Sequence, residues 1–148
     1  VFLSTYICHP SLANNEISGP VLLTELTKWL NKKKRRYSYR IIFIPETIGS
    51  IAYLHKNLKK MKKNIFAGFN ITCVGDERNY SYMPSRNGNT VSDRIATNVL
   101  KNMLKVLGNM NGKIEEAMKD NIVHQELIFL FVQLCEQNME NIKNIIHH

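Results

Sequence analysis

Two residues in the first third of the chain stand where open α/β sheets do chemistry. His9 follows an apolar, β-type run from Val1 to Ile7 and precedes a stretch rich in turn formers, Pro10 to Gly19. Glu46 follows a second such run, Tyr39 to Ile44, across Pro45. Catalytic groups and ligands of open α/β sheets gather at the carboxyl ends of the strands. An imidazole and a carboxylate at two successive ends therefore point to a metal or to acid–base work. His9 lies six residues before Asn15 in the turn Asn14-Asn15-Glu16, which would have to supply a second ligand. Spacing alone also fits a histidine that merely hydrogen-bonds in a loop, because catalytic zinc needs at least three protein ligands. Glu46 likewise has a plain structural reading, as a carboxylate facing the positive end of the helix that follows it.

Other nucleophiles and ligands fit less well. Cys8 is beside His9, but neighbours on a strand face opposite ways, so no thiol–imidazole pair is expected. Ser4, Thr5 and Ser11 form no triad with any placeable His and Asp. His55 and His124 fall in helical patterns without partners, and no Gly-rich phosphate loop is present.

The elements that must position these groups alternate. Val1 to Ile7 reads as a buried strand. Ser18 is the expected N-cap of a helix with Pro20 in its first turn. Val21, Leu22, Leu26, Trp29 and Leu30 recur at helical spacing to about Asn31. Tyr39 to Ile44 has the continuous apolar character of a strand buried on both faces. A second helix begins near Gly49 or Ser50, with Ile51, Leu54, Leu58 and Met61 on one face, and Ile65 to Val74 reads as a third strand. Loop-like residues 76–91 contain Tyr80 and Tyr82 alternating as in a short hairpin. Asp93 can then cap a helix carrying Ile95, Val99, Met103 and Leu107. Strand–helix alternation of this kind implies an α/β fold with a three-layer parallel-sheet core.

Length and charge narrow the function classes. A chain of 148 residues suits one domain with a real core. It contains no apolar run long enough for a membrane span and no signal-peptide pattern, and no membrane partner is expected. Opening inside a strand, it reads as an excerpt of something longer. Cys8, Cys73 and Cys135 are odd in number, far apart and without a C-x-x-C pair, which argues for a reducing, cytoplasmic setting. Net charge is +8; residues 113–148 carry three lysines against six acids, so residues 1–112 hold +11. The excess sits in Lys32-Lys33-Lys34-Arg35-Arg36 and Lys59-Lys60-Met61-Lys62-Lys63. Both runs fall at helix C-terminal ends, where cations suit the dipole. Neither is interleaved with aromatics that would stack bases, so nucleic acid is not the expected partner.

Residues 4–20 (Ser-Thr-Tyr-Ile-Cys-His-Pro-Ser-Leu-Ala-Asn-Asn-Glu-Ile-Ser-Gly-Pro) and residues 39–54, centred on Pro45-Glu46-Thr47-Ile48-Gly49-Ser50, resemble the bacterial aminopeptidase-like domain family associated with polysaccharide biosynthesis. Ser85 to Thr90 with Asp93-Arg94 fits a third motif, and the resemblance runs from residue 1 to about 105. This family is a distant relative of the di-zinc aminopeptidases. The resemblance implies a truncated form of the zinc-exopeptidase (phosphorylase/hydrolase-like) fold. It also implies zinc as the parent cofactor, a peptide or aminoacyl small molecule as substrate, and a hydrolase of peptide or amide bonds.

Carried over position by position, His9 matches the first metal ligand and Glu46 the general base. Asn15 stands where the relatives have their bridging Asp, and a neutral amide is a poor zinc ligand. Glu16 could substitute only if the loop turned differently. Thr47 stands in place of a second Glu, and Thr72 in place of an Asp. The expectation is therefore a chain inactive by itself, with incomplete zinc binding. The alternative is a binding or scaffold domain that kept the fold and lost the metal. The resemblance says nothing about oligomeric state.

From about Gly108 the resemblance ends, so the chain divides into a partial aminopeptidase-like domain, residues 1–107, and a non-homologous tail, 108–148. One encoding of residues 115–146 reads, from the third base of each codon, as the family's expected continuation, from G-S-D-E-R-Q to Y-G-E-Y-K-E-Y-H. An out-of-frame translation from roughly residue 105 is expected, with a true helical extension as the alternative. His147 and His148 do not replace the family's late histidine.

Overall fold

A computed structural model describes residues 1–75 and 82–106. Strand β1 (Phe2–Tyr6) leads through a π-helical turn (Ala13–Ile17) into helix α1 (Ser18–Asn31). Strand β2 (Arg40–Ile44), helix α2 (Ile48–Asn64), strand β3 (Gly68–Asn70) and helix α3 (Val91–Val106) follow. The sheet order is β2-β1-β3, and both pairings are parallel. Phe2 to Tyr6 align with Arg40 to Ile44 on one side, and Phe2 to Ser4 with Gly68 to Asn70 on the other.

Alternation along β1 sends successive side chains to opposite faces. Phe2 packs with Leu54, Leu58 and Met61 of α2, whereas Leu3 packs with Leu23 and Leu30 of α1. The two helices therefore cover opposite faces, which makes the expected three-layer α/β core. All five β1 residues are buried. The two polar ones need internal partners: Ser4 Oγ donates to Asn70 Oδ1 at 2.9 Å, while Thr5 Oγ1 has no partner among the described residues.

Several expectations shift. The buried stripe of α1 is Gly19, Leu23 and Leu30 with Leu26 against it, whereas Val21, Leu22 and Trp29 are exposed. Trp29 instead lies under the Arg35 guanidinium, 4.1 Å from its carbon. Arg35 donates to the Trp29 and Leu30 carbonyls at 3.0 and 3.1 Å, so part of the first basic run closes the C-terminal end of α1. Ser18 is the first residue of α1 rather than its cap. Its hydroxyl donates to the Asn14 carbonyl and accepts from the Val74 amide at 3.0 Å. The third strand pairs over only three residues. Ile71 N still reaches Ser4 O at 2.8 Å, but Cys73, with φ +52°, turns the chain back over the start of α1.

Asp93 lies inside α3 and completes a capping box with Thr90. Thr90 N donates to Asp93 Oδ2 at 2.8 Å, and Asp93 N donates to Thr90 Oγ1 at 3.2 Å. Ser85 N, Ser85 Oγ and the Tyr82 hydroxyl add bonds of 2.7, 2.5 and 2.6 Å to the same buried carboxylate. Burial alone would raise its pKa, but these donors outweigh it and hold the carboxyl far below the ordinary 3.8. The Tyr80–Tyr82 hairpin falls partly outside the described residues. The tail over 108–148 lies outside them altogether, as do Leu107 and the Met103 side chain. No described helix is long and apolar enough to cross a membrane.

Two outcomes follow for stability. Gly19→Ala would drive a Cβ into Thr5 Oγ1 and to 2.5 Å from the Ile71 carbonyl oxygen. Urea denaturation should show a loss of about 3 kcal/mol, the upper range for an overpacked site. Asp93→Asn should cost about 3 kcal/mol at neutral pH, because it removes the charge from several hydrogen bonds. A carboxyl depressed in the folded state stabilises fully above its unfolded pKa and loses that contribution as pH falls. The wild-type chain should thus weaken below pH 3.8, and the Asn variant should show a flatter acid limb in the same assay.

Candidate functional site

The three strands end on one side of the molecule, and each tip loop contains a non-glycine residue with positive φ. These are Ser11 at +69° after β1, Thr47 at +53° after β2 and Cys73 at +52° after β3. A β-branched threonine there is a backbone outlier, costing roughly 1–3 kcal/mol, and such residues cluster at functional sites.

His9 and Glu46 meet at this edge: His9 Nδ1 lies 3.9 Å from Glu46 Oε2. His9 is about half exposed and Glu46 about one quarter. The carboxylate closest to His9 comes from the turn. Glu16 Oε1 lies 3.0 Å from His9 Nδ1, and Glu16 Oε2 accepts the Cys8 backbone N–H at 2.6 Å. Glu16 is 8% exposed. Burial raises its pKa, but the Cys8 amide and the His9 ring bring the balance down, so its carboxyl titrates below the ordinary 4.5.

The turn itself selects this residue. Ala13–Ile17 is π-helical, with the Ser18 N–H reaching back five residues to the Ala13 carbonyl. Its extra residue per turn changes which side chain faces inward, a distortion common at functional sites. Asn15, the position expected to approach a metal, is held by its backbone, whose carbonyl accepts Thr72 Oγ1 at 3.4 Å. Its amide oxygen is buried without a partner among the described residues. Asn14 Oδ1 accepts Gly75 N at 2.8 Å, tying the turn to the loop after β3.

Cys8 also departs from expectation. Strand β1 ends at Tyr6, with one further bond from Ile7 N to Ile44 O at 3.2 Å, so Cys8 and His9 lie beyond the ladder and its alternation. Cys8 Sγ lies 3.2 Å from His9 Nδ1, 3.7 Å from Glu16 Oε1 and 4.0 Å from Glu46 Oε2. Burial raises the thiol's pKa and the Glu16 and Glu46 charges add to this, against a lowering backbone hydrogen bond at Glu46. A thiol pushed up is a weak nucleophile at neutral pH. A Cys–His–Glu triad also needs thiol and carboxylate on different ring nitrogens, whereas both face Nδ1 here. Below them, Tyr6 is buried and its phenol is pushed well above 10, chiefly by burial, so it keeps its proton.

Cys8 Sγ, His9 Nδ1 and a Glu16 oxygen all lie within 4.8 Å of one another. Sulfur, imidazole nitrogen and carboxylate are the donors zinc prefers, and the three suit one such ion. The chemistry of the set does not suit two ions, because Asn15 supplies no bridging charge.

The family described as a domain of unknown function, DUF4910, matches residues 1–116. A protein of Clostridium acetobutylicum, named as a polysaccharide biosynthesis protein with aminopeptidase-like domain, is 46% identical over 100 residues, covering 68% of this chain and 23% of that protein. A crystal structure from the same species, described as a peptidase, is similar with a TM-score of 0.66 and 43% identity, covering 74% of this chain and 25% of that one. The chain thus spans about a quarter of the length of these relatives. Both likenesses show a peptidase-like α/β fold, in agreement with the aminopeptidase-like motifs at residues 4–20 and 39–54.

The thiol's environment can be tested directly. With Cys73 and Cys135 replaced by serine, Glu16→Gln should shift the pH profile of Cys8 alkylation by iodoacetamide to lower pH, since a charge that disfavours the thiolate is gone. An unmoved profile would mean that Glu16 does not face the sulfur.

Proposed function

The chain belongs to the DUF4910 family, and we propose that it is a piece of a metal-dependent, aminopeptidase-like hydrolase acting on peptide or amide bonds, with a zinc-exopeptidase type of fold. The supporting observation is the meeting of His9, Glu16 and Glu46 at the carboxyl ends of adjacent parallel strands, within 3.9 Å of the imidazole. In this reading His9 and Glu16 hold a zinc ion, and Glu16 takes over the position that Asn15 cannot fill. Bound zinc would supply Lewis-acid polarisation of a scissile carbonyl. Glu46, partly exposed and 3.9 Å from His9 Nδ1, accepts a proton from the attacking water and returns it to the leaving amine. Glu46 lies two residues before the start of α2.

The substrate class is a peptide or aminoacyl small molecule. The relative's name supports a setting in polysaccharide biosynthesis. Because the chain spans only about a quarter of its relatives, zinc binding rather than turnover is the property to measure on it.

Equilibrium titration with zinc should give one ion per chain. His9→Ala should weaken binding at least about 100-fold, since even outer-shell changes at zinc sites cost 10–100-fold. Glu46→Gln should leave binding intact, as a proton carrier outside the ligand set would. Absence of zinc binding in the wild-type chain, or equal binding by His9→Ala, would overturn the reading in favour of a scaffold domain on the same fold.

A further inference from the structure

Cys8 stands beside the zinc site of the proposed function, on which its own role rests. We propose that Cys8 is a metal ligand, and that the chain carries a mononuclear thiolate–imidazole–carboxylate site built from Cys8 Sγ, His9 Nδ1 and Glu16 Oε1.

The three donor atoms form a triangle with sides of 3.2, 3.0 and 3.7 Å. Zinc–nitrogen and zinc–oxygen distances of about 2.0–2.1 Å and a zinc–sulfur distance of about 2.3 Å in a tetrahedron require edges of roughly 3.3–3.6 Å. The triangle is thus close to one face of such a tetrahedron before any metal enters. Glu46 Oε2, at 3.9 Å from the nitrogen and 4.0 Å from the sulfur, stands farther out and is left for proton transfer.

A dication held by one neutral imidazole and one carboxylate keeps a net charge of +1, and Asn15 offers nothing against it. A Cys8 thiolate balances that charge. The soft sulfur also selects among cations: it suits zinc and disfavours magnesium and calcium, which take oxygen ligands.

Cys8 donates its own backbone N–H to Glu16 Oε2 at 2.6 Å. This bond leaves Oε1 facing sulfur and imidazole, as outer contacts at zinc sites orient their ligands. Binding balances as Cys8–SH plus a dication giving the metal thiolate and one proton released to solvent.

Cobalt(II) tests the assignment without relying on turnover, because a thiolate bound to cobalt gives a charge-transfer band in the near ultraviolet. The 148-residue chain should bind one cobalt ion with that band. Cys8→Ser should abolish it and weaken zinc binding at least about 100-fold, with an unchanged circular dichroism spectrum, since Cys8 is exposed. Cys73→Ser should keep both band and affinity. One ion bound without the band, or a band surviving Cys8→Ser, overturns the role of Cys8 and leaves His9 and Glu16 as ligands. No ion bound by the wild-type chain overturns this inference together with the function it rests on.

Discussion

Burying β1 on both faces constrains everything else in the chain. Five consecutive residues, Phe2 to Tyr6, are out of water, so one helix must cover each face and a strand must pair along each edge. Phe2 and Leu3 recruit α2 and α1 to opposite sides. Each contributes about 2–3 kcal/mol by leaving water, an upper estimate. A strand so enclosed cannot present polar chemistry along its length. Its reactive groups are pushed past Tyr6, to the tip.

The tip is crowded because the layers are close. The Gly19 backbone lies directly against Thr5 and the Ile71 carbonyl, so the start of α1 is drawn onto the end of the sheet. Asn14 and Ser18 then hold residues 74 and 75 across the top. Three loops share this small space, and each pays in backbone strain at Ser11, Thr47 or Cys73. Here Cys8, Glu16 and Glu46 all come within 3.9 Å of His9 Nδ1.

Within the cluster, one buried carboxylate organises the rest. Glu16 is almost out of water, yet it stays ionised because an amide N–H and an imidazole face it. Removing a buried carboxylate's partners is costly, which makes the positions of Cys8 and His9 hard to change independently. Donor atoms arranged before any cation arrives need little reorganisation to hold one.

Much of the architecture was legible from residue pattern. Apolar runs at Val1 to Ile7 and Tyr39 to Ile44, separated by helical periodicity, required parallel strands with helices between them, because only that arrangement buries both kinds of run. The same pattern put His9 and Glu46 at strand ends, and the motifs around them carried the family resemblance. The chemistry beyond those two residues was not legible. The resemblance set Asn15 at the metal position and left Glu16 as a substitute only if the loop turned differently; the π-helical turn that brings Glu16 to His9 leaves no mark in composition. Cys8 looked turned away because neighbours on a strand alternate, whereas the last bond to β2 is made by Ile7 N and the chain has left the ladder at Cys8. The shortness of β3 depends on a left-handed Cys73, a conformation that no cysteine announces. Residue types and their periods determined which elements form and where the chain must end its strands. Only tertiary packing decided which side chains meet there, because a turn's backbone angles are set by the loops and helices pressed against it.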